Sequence, residues 1–66
     1  MRDPDRLDPF YEELKRIHKE SFPDLRFGQF MIVFISWLQS KKKVDPFFPE
    51  EDKMLDYFRE FAADKK

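Results

Sequence analysis

The chain has 66 residues, enough for one small domain, and its lack of cysteine excludes disulfide bonds as a source of stability. Its 13 basic and 14 acidic residues leave a formal net charge of -1, which gives no bulk attraction to nucleic acid or to an acidic membrane surface. Nine phenylalanines raise the aromatic content to 18%, and we expect their large rings to form the core.

The first predicted helix covers about residues 8–21 and follows a polar tail, residues 1–6. Asp8 and Pro9 fit the N-cap and the first helical position. Apolar residues recur behind them at three- and four-residue spacing, which is typical of a helix with one buried face. Because the tail has no such pattern, we expect it to be flexible.

The second predicted helix, about residues 25–40, is the most apolar segment and the expected centre of the fold. No charged residue lies between Arg26 and Lys41, although 41% of the chain is charged. Asp24 is the predicted cap. Gly28 is expected to allow close approach of another backbone, and a helix that begins just after Gly28 is the alternative. At 100° per residue, five apolar residues share one face. They are Phe27, Phe30, Met31, Phe34 and Leu38.

The third predicted helix covers about residues 49–62. Pro49 and the acids that follow it suit a first helical turn, where the helix dipole is positive. The preceding loop contains Phe47 and Phe48, and we expect it to lie across one end of the bundle because adjacent exposed aromatics are unfavourable. The predicted fold is therefore all-α, a compact three-helix bundle over residues 7–63, with residues 64–66 frayed.

The residue types argue against an enzyme. The chain has no Cys, Thr or Asn, one His and three Ser. His18 and Ser21 can share a helix face, but nucleophilic catalysis also needs an orienting group and oxyanion donors. The acids of residues 45–52 lack the glycine turn of a calcium loop, and one His without Cys does not make a structural zinc site. We predict no catalytic, metal-binding or cofactor-binding residue.

An uncharged stripe on the second helix is the predicted protein-interaction surface, although a neutral solvent-facing stripe explains the same pattern. Loss of charge beside aromatic residues is typical of interface cores. Arg26 lies at the unfavourable positive end of the helix dipole, so either an acid (Asp24 or one on the third helix) or a binding partner offsets it. The predicted interaction residues are Arg26, Gln29, Val33, Ser36, Trp37, Phe47 and Phe48, with Ser40 also on the stripe.

Two segments, residues 23–30 with Arg-Phe-Gly-Gln and residues 45–52 with Asp-Pro-Phe and an acidic turn, carry a family resemblance. Over about residues 7–62 the chain resembles a group of small proteins of Gram-positive bacteria and their phages or mobile elements, to which no activity is assigned. The resemblance implies a phage or mobile-element accessory protein that binds a host or phage protein. It supplies no functional residues.

We therefore expect a non-catalytic protein–protein interaction module that binds another protein, forms a homodimer, or does both. The alternative is a small nucleic-acid-binding domain that uses Lys41, Lys42 and Lys43, which the acids at residues 50–52 disfavour. Residues 1–6 have no apolar signal-peptide core, and residues 27–38 fall short of the roughly 20 apolar residues of a membrane span. The predicted location is cytoplasmic.

Overall fold

The computed structural model describes residues 2–65 and contains three α-helices. They are α1 (Leu7–Ser21), α2 (Phe27–Lys41) and α3 (Glu51–Lys65). No strand occurs in residues 2–65, and the helices enclose one apolar core. The predicted all-α three-helix bundle is confirmed.

The start of α2 differs from the prediction, which placed it near residue 25 with Asp24 as its cap. Residues 22–25 form a turn in which the Leu25 N–H donates to the Phe22 carbonyl oxygen at 3.2 Å. Helical geometry therefore begins only at Phe27, and Arg26 occupies the N-cap position in an extended conformation. Since a guanidinium has no acceptor, the cap is made by Gln29, whose Oε1 accepts from the Arg26 N–H at 2.8 Å. The predicted Asp24 cap is wrong.

Both ends of the chain are more helical than the sequence pattern indicates. Pro4–Arg6 form a 3₁₀ helix, capped by Asp3, within the segment predicted as a flexible tail. Arg6 Nε donates to Glu51 Oε1 at 2.8 Å, although the two residues are 45 positions apart in the sequence. At the other end α3 continues to Lys65, beyond the predicted end at residue 62. Met1 and Lys66, included in the predicted flexible ends, lie outside the described residues.

The helices α1 and α3 run side by side in the same direction. Near the starts of the two helices, Arg6 pairs with Glu51. Farther along, Arg59 Nε lies 3.3 Å from Glu13 Oε2. Beyond these pairs, the rings of Phe22 and Phe61 stack with their centroids 5.0 Å apart. The third helix, α2, lies across the carboxyl-terminal halves of this pair. One side of α2 therefore faces the core, and the opposite side is left uncovered.

The core is largely aromatic, as the composition predicts. The rings of Phe34 and Phe58 stack with centroids 3.8 Å apart and planes 14° from parallel. One predicted core residue differs: Phe27, the first residue of α2, is 64% exposed because it lies at the rim of the α1–α2 junction rather than within it. The buried residues are Leu14, Ile17, Phe30, Phe34, Trp37, Leu38, Phe58 and Phe61.

Candidate protein-interaction surface

The uncovered side of α2 carries seven exposed residues, none of them charged. Two are aliphatic: Ile32 is 69% exposed and Val33 is 41% exposed. The outward sides of α1 and α3, in contrast, carry mixed acids and bases. We name this surface the α2 outer face; it consists of Gly28, Gln29, Ile32, Val33, Ser36, Gln39 and Ser40.

The helical period explains why these residues face outward together. Phe30, Phe34 and Leu38 occupy the core side of α2, so residues about half a turn away point to solvent. The Ser40 hydroxyl donates to the Ser36 carbonyl oxygen at 2.7 Å, which satisfies it within the helix. Because a satisfied hydroxyl loses little when water is removed, this part of the face is inexpensive to desolvate.

Three predicted interaction residues lie together on the α2 outer face: Gln29, Val33 and Ser36. Ile32 also belongs to this surface, although the sequence analysis did not include it among the interaction residues. The spacing associates Ile32 with this side of the helix, since it lies four residues after Gly28 and four before Ser36, on one helical row. Ile32 is the most exposed apolar side chain of the helix.

Arg26 lies exposed at the amino-terminal end of the α2 outer face. The predicted local pair with Asp24 or with an acid of α3 is not formed: within residues 2–65 no ion pair involves Arg26. The first turn of α2 also lacks an acid. The positive end of the helix dipole and the guanidinium therefore lie together without a neutralising charge.

Trp37 does not join this surface, contrary to the prediction. It is 6% exposed, and its Nε1–H donates to Asp64 Oδ2 at 2.8 Å. The cause is its packing: the indole lies against the rings of Phe34 and Phe61 on the side of α2 that faces α3.

Phe47 and Phe48 form an exposed tip on the α2–α3 loop. They are 83% and 73% exposed, and their rings meet edge to face at 5.1 Å. The predicted position across the bundle end is wrong, because a local turn directs both rings outward. In this turn Asp45 accepts from the Phe47 N–H at 3.0 Å through its side chain and from the Phe48 N–H at 3.3 Å through its carbonyl. We name these two residues the aromatic tip.

A shallow hollow of about 220 Å³ lies between α1 and α2. Exposed Tyr11 and Phe27 form its rim, and His18 lies within it. His18 Nε2 is 2.8 Å from the Leu25 carbonyl oxygen, which only accepts, so Nε2 carries the proton. The ring also stacks on Phe30 at 4.5 Å. Through these contacts His18 links α1 to the turn that follows it.

The three lysines at the carboxyl-terminal end of α2, Lys41, Lys42 and Lys43, do not form a continuous basic patch. Lys42 Nζ lies 2.8 Å from Glu60 Oε1, and this hydrogen bond raises the pKa of Lys42. Lys41 and Lys42 line a hollow that also contains Glu60 and Asp64. The local field is therefore mixed in sign.

No protein-family model, curated protein or solved structure matches the chain. Among residues 2–65, none of the helices combines the length and apolar character needed to cross a membrane. The same residues contain no group of three or more His, Asp or Glu side chains placed to hold a metal ion.

Proposed function

We propose that the protein is a non-catalytic interaction module that binds another protein through the α2 outer face. The observation that carries this proposal is the exposure of Ile32 and Val33 on a helix side without any charge, in a chain of which 41% is charged. Folding does not require this composition, because the core side of α2 already buries the rings that hold the helix. An exposed uncharged apolar strip is the kind of surface that becomes an interface core.

Covering this face adds to the affinity for a partner, and the rest of the binding free energy comes from the remainder of the interface. Full burial of an aliphatic side chain contributes about 1.5–3 kcal/mol, so the exposed parts of Ile32 and Val33 together contribute on the order of 2 kcal/mol. That is more than a tenfold gain in affinity, before any contribution from the aromatic tip. Exposed aromatic side chains such as Phe47 and Phe48 are frequent anchors at protein interfaces.

The resemblance to small phage and mobile-element proteins supports a host or phage protein as the partner. Nucleic-acid binding has less support, because Lys42 is held by Glu60 and the acids Glu50, Glu51 and Asp52 lie at the start of α3. Phosphates approaching that end meet like charge. A homodimer through the same face is the closest competing arrangement.

Co-purification from native cells tests the proposal. Ser36→Arg and Val33→Arg place a charge in the α2 outer face and should remove the partner, with the helical circular-dichroism signal unchanged. Glu12→Arg is the control, since it places the same side chain at an exposed helical position of α1 and should retain the partner. Equal recovery of all co-purifying proteins with the three variants would exclude the α2 outer face.

A further inference from the structure

We infer that the occupant of the α2 outer face is an amphipathic helix of another protein that carries carboxylates at both ends of its apolar stripe. This inference rests on the proposed function and specifies the chemistry of the partner. It is argued from the charges at the two ends of α2, from the shape of the face, and from the contact that a second copy would make.

Glu60 and Asp64 of α3 share a hollow with Lys41, but the charged residues along α2 and its direct flanks are all cations. Between residues 25 and 44 they are Arg26 at one end and Lys41–Lys43 at the other. Arg26 and Lys41 form no ion pair within residues 2–65, whereas Lys42 is engaged by Glu60. A helix rises 1.5 Å per residue, so Arg26 and Lys41 lie about 22 Å apart along α2. Complementary acids on a partner helix are therefore about fifteen residues apart.

The two ends do not attract acids equally. At the Arg26 end the cation and the positive end of the helix dipole act together, and α2 has no acid in its first turn. At the Lys41 end the negative end of the dipole partly offsets the lysine. The partner's acid near Arg26 consequently makes the larger contribution to binding.

The shape of the face suits a helix. Gly28, Ile32, Ser36 and Ser40 form one row at four-residue spacing, in which small residues flank a large one. Such a row is a ridge of α2, and it can pack into the groove of a second helix. The described part of the chain has no strand edge, so a partner has to contribute side chains rather than backbone hydrogen bonds.

A second copy of this chain fits the face less well than an acidic helix does. If two α2 helices pair in opposite directions, the Arg26 of each approaches the Lys41–Lys43 segment of the other. If they pair in the same direction, Arg26 meets Arg26. Both arrangements place like charges at both ends of the interface, and an acidic partner removes that repulsion.

A displayed library of helical peptides tests the charge pattern directly. Each peptide has about 20 residues and a fixed Leu/Ala stripe, with Glu, Gln or Lys at two positions about fifteen residues apart. Selection on the wild-type protein should enrich Glu over Lys at both positions by about threefold or more, most strongly beside Arg26. Selection on Arg26→Glu/Lys41→Glu should enrich Lys instead.

The outcomes separate this inference from the proposed function. Selected peptides that lose binding to Val33→Arg but show no preference for Glu overturn the acidic-partner inference and leave the interaction face in place. A different outcome is that light scattering shows the wild type to be a dimer and Val33→Arg to be a monomer. That result also overturns the acidic-partner inference and keeps the interaction face, because a second copy then occupies it. Selection of no peptide whose binding depends on Val33 overturns the helical occupant, whereas co-purification that is insensitive to Val33→Arg overturns the proposed function itself.

Discussion

The indole Nε1–H of Trp37 donates to Asp64 Oδ2 at 2.8 Å, which ties the centre of the fold to the last turns of α3. The side chain is almost fully buried and also touches Phe34 and Phe61. Trp37 therefore contributes to stability, and the uncharged face on the other side of α2 remains free to contact a partner.

Trp37→Phe should lower the free energy of unfolding by about 1–2 kcal/mol, because it removes one partly buried hydrogen bond and some ring area. Urea denaturation measures this loss. Asp64→Asn, which keeps an acceptor oxygen, should cost less. Co-purification of the partner should be unaffected. Loss of the partner by a stably folded Trp37→Phe variant would show that Trp37 belongs to the interface.

Gly28→Ala should raise the free energy of unfolding by about 0.5–1 kcal/mol. A Cβ at residue 28 meets no other atom within 4 Å, so the expected close backbone approach does not occur. Alanine is the better helix former by up to about 1 kcal/mol in a helix interior. Thermal or urea unfolding checks this, and a destabilised variant would show that another backbone does approach Gly28.

Protonation of Glu13 should contribute to a lower free energy of unfolding at acidic pH. Its carboxylate accepts two hydrogen bonds from Arg16, at 2.6 and 2.8 Å, and one from Arg59 at 3.3 Å. Chiefly through the Arg16 hydrogen bond, its pKa falls to about 2 from the ordinary 4.5. Because the pKa is lowered in the folded state, the stabilisation is present above pH 4.5 and is lost as the pH falls toward 2.

Glu13→Gln should therefore show a smaller decrease in unfolding free energy than the wild type between about pH 5 and about pH 2. Glu12→Gln is the control, since Glu12 is exposed and its one ion pair within residues 2–65 is with Lys15 Nζ, at 3.4 Å. Urea titrations at several pH values compare the three proteins. Identical pH profiles for wild type and Glu13→Gln would show that the Arg16 pair does not stabilise the fold.

Substitutions at the aromatic tip should leave the fold intact. Phe47→Ser and Phe48→Ser each change the unfolding free energy by less than about 0.5 kcal/mol, as is usual for exposed positions. Phe61→Ala should cost about 3–5 kcal/mol, comparable with the whole stability of a domain of this size. Strong destabilisation by either tip variant would indicate that the loop packs against the bundle.

The helices could be predicted from the sequence because each has apolar residues at three- and four-residue spacing, with prolines between the elements. The ends of α1 and α3 could not be predicted, because these depend on contacts between distant residues, whereas the start of α2 is shifted by a local turn at residues 22–25. The Arg6–Glu51 ion pair and the Trp37–Asp64 hydrogen bond form only when the chain folds. Periodicity contains no information about such pairs.

The candidate surface was predictable only in part for a related reason. The apolar arc of α2 is so wide that spacing alone leaves its boundaries open, and Ile32 and Trp37 lie near them. Packing against α3 settles which side is buried: the rings of Phe58 and Phe61 cover Trp37's side and leave Ile32 in solvent. Phe47 was misassigned because a local turn at Asp45 outweighs the tendency of aromatic rings to be buried.

Site-specific photo-crosslinking in native cells tests most directly whether the α2 outer face binds a protein. A photoreactive residue at Val33 should crosslink to a distinct protein, and the same residue at Glu12, an exposed position of α1, should give no such product. Binding through the α2 outer face predicts a crosslinked species specific to Val33 that disappears when Ser36→Arg is added. Absence of any product at Val33, or the same products at both positions, would contradict it.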